Sequence, residues 1–244
     1  MHRFFVPQPF AEEMEITGAD AHHICNVLRM HSGQYIQIVS SDRVTALMEI
    51  KTATADAAFV RFVRRIEQVN EPSVRIILAQ GLAKGEKMDL IVQKAVEVGV
   101  ETIVPLAMEN SVVKLDGDKA KKKVDRWQKI AEEAAKQSKR DIIPKVERVM
   151  RMDEVLQAFD CKVKFIAYEG EKQQGLKKAL RDIRDFAEIL LIVGPEGGIA
   201  PKELKAAENA GTVIVSLGNR ILRTETAGLV AAAAILYETG DLGG

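Results

Sequence analysis

Two glycine-rich segments in the last third of the chain have residue types that could bind a ligand. The first, 194–198, follows the apolar run 189–193, and the second, 218–226, follows the apolar run 213–217. Ligands of open parallel sheets bind outside the carboxyl ends of the strands, which is where both segments would lie. Glycine also lets backbone amides and carbonyls approach a ligand with no Cβ atom in the way. The two loops therefore predict a binding site built largely from backbone.

Side chains in the second segment suggest what could bind there. Ile221 and Leu222 are apolar residues in a loop, and they are suited to enclosing the face of an adenine ring. The alternative interpretation is ordinary turn chemistry, in which glycines permit tight turns between strands and helices. Thr224 would then cap the last helix, and Glu225 would complement its dipole. These residues alone leave both interpretations open.

Other familiar ligand-binding motifs are missing from the sequence. No G-x-G-x-x-G follows a predicted strand, which argues against a dinucleotide fold. Residues 170–175 have the glycine spacing of a P-loop, but Leu176 and Lys177 follow where Gly-Lys is required. We expect no metal, because the cysteines and histidines have no metal-ligand spacing: Cys25, Cys161, His2, His22, His23 and His31.

Residues 1–70 have the pattern of a small β-structure. Residues 34–39, 44–50 and 58–69 alternate between apolar and polar side chains, with polar turns between them. This period of two predicts antiparallel strands, which we expect to form a small barrel. One helix is predicted over residues 21–30, with Asp20 as its N-cap.

The pattern changes after residues 71–73, where we place a domain boundary. From residue 74 onward, apolar runs alternate with amphipathic segments, which predicts an α/β fold with a parallel sheet. Strands are expected at 74–79, 102–106, 142–146, 163–168, 189–193 and 212–217, and helices at 88–98, 119–139, 152–159, 176–186, 201–210 and 226–238. The final helix has no polar face, so it is expected to be buried on all sides, either in the core or against a partner subunit.

Composition limits the kind of protein. The 244 residues include 35 Lys and Arg and 35 Asp and Glu, which gives a net charge of zero. An RNA-binding surface would therefore have to be a local basic patch. With no leader segment and no long apolar run, we expect a soluble, cytoplasmic protein without a membrane association.

The whole pattern resembles the RsmE family of 16S rRNA uridine-N3 methyltransferases, within the SPOUT superfamily. The resemblance runs nearly end to end and is carried by residues 3–5, 23–30, 84–88, 93–100, 126–127 and 137–140, and most specifically by 194–198 together with 217–227. The chain departs from the family at Gln34, where Asp is expected, and at Val96, where Thr is usual. Both positions lie outside the two glycine-rich loops.

The resemblance implies a fold, a cofactor and partners. Residues 1–70 would form a PUA-like β-barrel that binds RNA, and residues 74–244 would form a methyltransferase domain whose parallel sheet is tied in a trefoil knot. The cofactor would be S-adenosyl-L-methionine (SAM), and the enzyme would be a homodimer through its C-terminal knot, acting on 16S rRNA or the small ribosomal subunit. The SAM-binding residues would be Ala167, Tyr168, Glu169, Gly194, Pro195, Gly198, Leu217, Gly218, Ile221 and Leu222.

The chemistry implied by the resemblance suggests catalytic residues. The N3–H of uracil is a weak acid, so methylation requires proton removal and stabilisation of negative charge on O2 and O4. Arg223 is the candidate for charge stabilisation, Glu225 for the base, and Glu196 for the base in reserve, unless solvent takes the proton. Candidate contacts to RNA phosphates are Arg3, Arg29, Lys84, Lys87 and Arg140, and the alternative for each is a solvated surface charge.

Two other functions remain possible from the sequence. A knotted methyltransferase with another RNA target, such as a ribose 2′-hydroxyl, would share the glycine-rich loops. A non-catalytic RNA-binding assembly factor would not need them, and the intact Gly194, Gly198, Gly218 and Arg223 argue against it.

Overall fold

The computed structural model describes residues 1–54, 56–67, 70–183 and 187–243. These residues form two compact units. Unit 1 consists of Met1–Glu71 and Ala135–Ile143, and unit 2 consists of Pro72–Ala134 and Pro144–Gly244. The short second segment of unit 1 lies far along the chain from the first, and no sequence pattern predicts that grouping.

Unit 1 is built on a curled, five-stranded half-barrel. Its strands lie in the order β1-β3-β4-β5-β2, with β1 parallel to β3 and the other neighbours antiparallel. The elements are β1 (Arg3–Phe5), β2 (Glu13–Thr17), α1 (Gly18–His22), a π-helical turn (His23–Val27), β3 (Tyr35–Val39), β4 (Thr45–Ala53) and β5 (Ala57–Arg65). The buried side chains of alternating strand positions form one core, which includes Phe4, Met14, Ile36 and Met48.

The predicted strands of unit 1 are confirmed within a few residues. The predictions at 34–39, 44–50 and 58–69 correspond to β3, β4 and β5, and residues 68 and 69 lie outside the described residues. Strands β1 and β2 were not predicted. In β2, side chains alternate between exposed and buried, so its period of two was a signal that could have been found.

The predicted helix at 21–30 is wrong in both its start and its form. Helix α1 begins at Gly18, so Asp20 lies inside its first turn and is not the N-cap. The Asp20 carboxylate instead accepts a hydrogen bond from Lys136 Nζ at 3.1 Å, within unit 1. After α1 the chain continues as the π-helical turn His23–Val27, and Arg29 follows in a left-handed conformation with φ of 52°.

Unit 2 contains a parallel sheet with helices around it, as the alternation of strands and helices predicted. The strand order is β12-β10-β11-β6-β7-β8, and β9 also pairs with β7. The strands are β6 (Arg75–Gly81), β7 (Thr102–Ala107), β8 (Lys145–Val146), β9 (Met150–Arg151), β10 (Val163–Ala167), β11 (Glu188–Val193) and β12 (Val213–Val215). The helices are α2 (Lys87–Val98), α3 (Gly117–Ser138), α4 (Met152–Ala158), α5 (Leu176–Arg181), α6 (Pro201–Asn209) and α7 (Thr224–Glu238).

Aliphatic side chains fill the core of unit 2, as the low aromatic content predicts. Leu190, Ile192 and Ile77 are fully buried in the centre of the sheet, and residues of α4 and α6 pack against them. Three predicted bounds are clearly wrong: the strand at 142–146 is only two residues long, the strand at 212–217 is only three residues long, and the helix at 176–186 ends at Arg181. Residues 184–186 of that prediction lie outside the described residues.

Within this chain helix α7 is buried along one face only, so the prediction of a helix buried entirely in the core is wrong, while burial of its other face by a partner subunit stays a prediction. Ala231, Ala232 and Ile235 face the core, but Val230 and Tyr237 are 43% and 69% exposed. Ala233 and Ala234 lie between these two residues on the helix surface, so the exposed face of α7 is apolar there.

The trefoil knot stays a prediction. Among the described residues, no helix is both long and apolar enough to cross a membrane.

Candidate active site

A cleft of about 430 Å³ opens at the carboxyl edge of the parallel sheet of unit 2. Its size is in the range of small-molecule binding sites. All ten predicted cofactor-binding residues line this cleft: Ala167, Tyr168, Glu169, Gly194, Pro195, Gly198, Leu217, Gly218, Ile221 and Leu222. The structure thus brings together residues from three loops, and their role in binding a cofactor stays a prediction.

Strand register explains why these three loops meet. Strand β10 lies between β11 and β12 and is parallel to both. Its last residue, Ala167, pairs with Val193 at the end of β11 and with Val215 at the end of β12. The three strands therefore end at the same level, and the loops that follow them surround one space.

Backbone conformation requires glycine at two positions of the cleft. Gly198 and Gly218 have φ angles of +76° and +112°, which side chains with a Cβ atom rarely adopt. A Cβ at Gly198 would in addition lie 3.3 Å from Glu169 Oε1. The glycines thus fix the shape of the two loops as well as leaving space for a ligand.

The segment with P-loop spacing is instead a compact turn at one side of the cleft. The Glu171 carboxylate accepts hydrogen bonds from the backbone amides of Gln174 at 2.9 Å and Gln173 at 2.5 Å, and these bonds lower its pKa. This turn joins β10 to α5 and orders the chain immediately after Glu169.

A buried chain of hydrogen bonds holds the first and second glycine-rich loops together. Fully buried Gln80 donates from Nε2 to Thr224 Oγ1 at 2.8 Å, and Thr224 Oγ1 donates to the Gly194 carbonyl at 2.6 Å. The Gln80 Oε1 atom is buried without a hydrogen-bond partner among the described residues. Thr224 is therefore not the helix cap suggested by the turn interpretation, since Arg223 occupies the N-cap position.

Gln80 and Thr224 were not predicted to organise the site. The available signal was weak: Gln80 is a polar residue near the end of an otherwise apolar strand, β6. Buried polar side chains are uncommon unless they are hydrogen-bonded, which made this residue notable.

Both candidate bases contact the same lysine, Lys87, which lines the cleft; Glu196 also lines the cleft, whereas Glu225 lies behind Lys87 and is not part of the lining. Lys87 Nζ lies 3.1 Å from Glu196 Oε1 and 3.1 Å from Glu225 Oε2, so it forms an ion pair with each acid. Its contact with Glu196, followed by that with Glu225, raises the pKa of Lys87. The structure therefore places Lys87, expected to contact RNA phosphate, in an ion pair with two acids.

The two carboxyl groups are held in their charged forms. Partial burial opposes the ionisation of Glu196, but hydrogen bonds from its own backbone amide, Lys87 and the Lys84 amide outweigh it and lower its pKa. The backbone amide of Glu225, and then Lys87, lower the pKa of Glu225. Both groups can accept a proton at neutral pH, because both are ionised there.

Arg223 extends over the mouth of the same cleft. Its side chain is 82% exposed, and its NH1 atom lies 4.0 Å from Glu225 Oε1. The guanidinium group is thus near Glu225 without being buried by it. It remains available to bind a ligand with two carbonyl oxygens, for which its planar fork is suited.

The five candidates for RNA contact fall into different surroundings. Arg3 is buried in unit 1 and donates to the carbonyl of Arg140 at 2.8 Å and to Asp141 Oδ1 at 2.9 Å. Arg140 is also buried, and its Nε and NH2 atoms bind the Glu71 carboxylate. These partners hold both guanidinium groups inside unit 1, which argues against a phosphate contact by either. Arg29 and Lys84 are exposed.

No cluster of three or more His, Cys, Asp or Glu side chains suited to a metal ion occurs among the residues that the structure describes. Cys161 is buried, and burial followed by a hydrogen bond to Glu188 raises the pKa of its thiol to about 12.

Comparison with known families identifies both parts of the chain. Residues 70–236 match the family described as an RNA methyltransferase domain. Residues 16–63 match the family described as an RNA methyltransferase PUA domain. The PUA-like fold and the methyltransferase fold predicted from the resemblance are confirmed by these matches.

Relatives of known name match over nearly the full chain. Ribosomal RNA small subunit methyltransferase E of Bacillus subtilis is 38% identical over 239 residues, covering 96% of this chain and 93% of that protein. The protein of the same name from Mycobacterium tuberculosis is 32% identical and covers 90% of this chain and 84% of its own length.

A solved structure agrees with the whole fold. Ribosomal RNA small subunit methyltransferase E from Neisseria gonorrhoeae, bound to S-adenosyl methionine, superposes with a TM-score of 0.87 at 31% identity, covering 97% of each chain. With matches of this extent in both sequence and structure, the chain belongs to the ribosomal RNA small subunit methyltransferase E family.

Proposed function

We propose that this protein methylates N3 of a uridine in 16S ribosomal RNA, with SAM as the methyl donor. The main observation behind the proposal is the convergence of three loops on one cleft that Arg223 and Glu196 line, with Glu225 next to them through its contacts with Lys87 and Arg223. Family membership supports methylation of ribosomal RNA, and the chemistry of the cleft mouth supports the imide nitrogen as the target atom.

The cleft residues fit a cofactor with an adenine ring and polar ends. Ile221 is 84% exposed at the edge of the cleft, and an apolar side chain so placed in a loop is suited to cover a flat ring. The Glu169 carboxylate can accept hydrogen bonds from hydroxyl or amino groups, and Gly194 and Gly218 leave their backbone groups accessible. SAM, when bound there, supplies an electrophilic methyl group.

The residues at the mouth supply what the target base requires. Uracil N3 becomes nucleophilic when its proton is removed, and the negative charge then spreads over O2 and O4. We assign proton acceptance to Glu225, with Glu196 as the alternative, and charge stabilisation to Arg223. Because Lys87 lowers the pKa of both acids, each is a weak base, and stabilisation of the anion by Arg223 is the larger requirement.

We further propose a division of labour between residues 1–70 and residues 74–244, with RNA bound mainly by the first part and SAM by the second. The exposed Arg29 and Lys84 are the candidates for phosphate contacts. Arg3 and Arg140 are left out, because their intramolecular partners already satisfy them.

The exposed apolar face of α7 supports a homodimer. Val230 and Tyr237 lie on the side of the helix that this chain leaves uncovered, and a second copy would bury them. Since the substrate is ribosomal RNA or the small ribosomal subunit, we place the enzyme in the cytoplasm.

The experiment that tests the proposed function is nucleoside mapping. The purified protein is incubated with isotopically labelled SAM and 16S rRNA from a strain that lacks the corresponding gene, and the product is analysed by mass spectrometry. N3-methyluridine at one position is the expected product. Label on a ribose 2′-hydroxyl would contradict the target atom, and no transfer to naked RNA or to small subunits would contradict the activity.

A further inference from the structure

Lys87 lies where three segments of unit 2 meet at the mouth of the cleft. It is the first residue of α2, and its Nζ atom contacts Glu196 in the loop after β11 and Glu225 in the first turn of α7. The side chains of Lys87, Glu196 and Glu225 are 26%, 20% and 15% exposed. Water therefore screens these contacts only in part, and one ammonium group links α2 to both segments.

The position of Lys87 has a direct electrostatic consequence. Two carboxylates that contact the same atom are necessarily close to each other. When like charges share a site without a cation between them, one of the two takes up a proton at a higher pH than usual. Without Lys87, the negative charge of each acid would therefore raise the pKa of the other.

Other charged groups near the cleft do not replace this cation. Arg223 NH1 lies 4.0 Å from Glu225 Oε1 and is mostly in solvent, and Lys84 offers Glu196 only its backbone amide, at 3.3 Å. Glu169 and Arg220 also line the cleft. Among the described residues, Lys87 is the side chain paired with both acids.

We propose that Lys87 is a positioning residue for methyl transfer, which holds Glu196 and Glu225 together and in their charged forms at the mouth of the cleft. The inference rests on the proposed function, because it concerns the acids that would accept the N3 proton. Lys87 then acts through these carboxylates, and not through a phosphate of the RNA as its charge alone suggested.

The direct test measures the two carboxyl groups in the cofactor-free protein. The ¹³C resonances of the Glu196 and Glu225 carboxyls, assigned with single Glu→Gln variants, are followed as the pH is lowered. In the wild type both should titrate below the ordinary value of 4.5. In Lys87→Met, one of them should titrate about 1 to 3 pH units higher than in the wild type. Lys87→Arg keeps the charge and should stay near the wild type.

A matched control lies on the same helix. Lys94 is also on α2 and forms an ion pair with Glu97, away from the cleft. Lys94→Met removes a partly exposed, paired lysine from α2 in the same way, and both cleft carboxyls should titrate as in the wild type. A shift in this control equal to that in Lys87→Met would mean that the effect is not local, and would overturn the proposal.

The pH dependence of methylation provides a second readout. The base must be ionised to accept the proton, so the rate of Lys87→Met should fall as the pH drops through the raised pKa. The pH at which the rate of Lys87→Met falls to half should be higher than in the wild type, by the same shift that the titration shows. Adding Glu196→Gln removes the neighbouring negative charge and should return this pH towards its wild-type value.

Other outcomes distinguish this role of Lys87 from a phosphate contact and from a failure of the proposed function. Unchanged carboxyl titrations in Lys87→Met would overturn it, and a salt dependence of RNA binding reduced by about one unit of slope would instead assign Lys87 to a phosphate contact. A wild type that transfers no methyl group would contradict the proposed function, whereas the titration would still decide the role of Lys87.

Discussion

Replacing Thr224 with Val tests whether the buried hydrogen bonds hold the two glycine-rich loops in place. Valine has nearly the same shape as threonine, but it can neither donate to the Gly194 carbonyl nor accept from Gln80 Nε2. Gln80 is buried, so the Nε2 hydrogen that loses its acceptor cannot turn to water, whereas the Gly194 carbonyl lines the cleft and can. A buried group left unsatisfied costs about 1 to 3 kcal/mol. We expect the free energy of unfolding of unit 2 to fall by about 1 to 3 kcal/mol.

A double variant distinguishes lost hydrogen bonds from lost packing. Gln80 already has one unpartnered buried oxygen, so Gln80→Met removes that atom together with the donor that Thr224→Val would abandon. Replacing both partners by apolar groups of similar shape can be nearly neutral. The double variant Gln80→Met, Thr224→Val should therefore be more stable than Thr224→Val alone, although the Gly194 carbonyl still lacks its donor.

The assay is urea unfolding followed by fluorescence of Trp127. This is the only tryptophan of the chain, and it is buried in unit 2, so its emission reports that unit. Calorimetry with SAM should show weaker binding by Thr224→Val, because Gly194 lines the cleft. Thr224→Ser keeps the hydroxyl and serves as the control. A loss of stability below about 0.5 kcal/mol for Thr224→Val, or a double variant less stable than the single one, would refute the reasoning.

Four further outcomes follow from the site and the fold. Gly218→Val should abolish SAM binding measured by calorimetry, because valine is strained at a φ of +112°; unchanged affinity would remove this loop from the site. Arg29→Ala should weaken RNA binding and reduce its salt slope by about one while SAM affinity is unchanged, and a variant with wild-type RNA affinity would exclude the contact. Val230→Glu should give monomers in light scattering, since it places an unpaired charge in the proposed interface; a monomeric wild type would contradict the dimer. Glu225→Gln should slow turnover by about 10² to 10⁴-fold and be partly rescued by higher pH, whereas near-normal turnover at neutral pH would exclude Glu225 as the base.

Local patterns in the sequence were sufficient to predict most of the sheet of unit 2 and two of the three loops at its cleft. Apolar runs of five or six residues that alternate with amphipathic segments are typical of strands buried on both faces, and a glycine-rich loop directly after such a strand lies at the carboxyl edge of the sheet. The third loop, 167–169, and the full set of ten residues came from the family resemblance, and the order β12-β10-β11 explains why all three loops lie side by side.

Contacts between distant segments could not be predicted in the same way. Arg3 and Arg140 have the composition of surface charges, and only the fold shows that Asp141 and Glu71 bind them inside unit 1. Asp20 resembled a helix cap because such residues favour that position, but its partner, Lys136, lies more than a hundred residues away.

The same limit applies to the centre of the site. Thr224 and Glu225 had local explanations as helix-start residues, and those explanations concealed their contacts with Gly194 and Lys87. The sequence pattern of α7 indicated burial without showing which face this chain leaves open. Val230 and Tyr237 could be identified as exposed only from the packing of α7 in the fold.

The most direct test of the central claim is single-turnover methyl transfer from labelled SAM to unmodified 16S rRNA, comparing the wild type with Arg223→Lys. Lysine keeps a positive charge but loses the planar fork that can bind two carbonyl oxygens. We expect N3-methyluridine as the wild-type product and a rate about 10² to 10³-fold lower for Arg223→Lys, with SAM affinity retained and little rescue at higher pH. A wild-type rate in Arg223→Lys, or label on an atom other than uridine N3, would contradict the central claim.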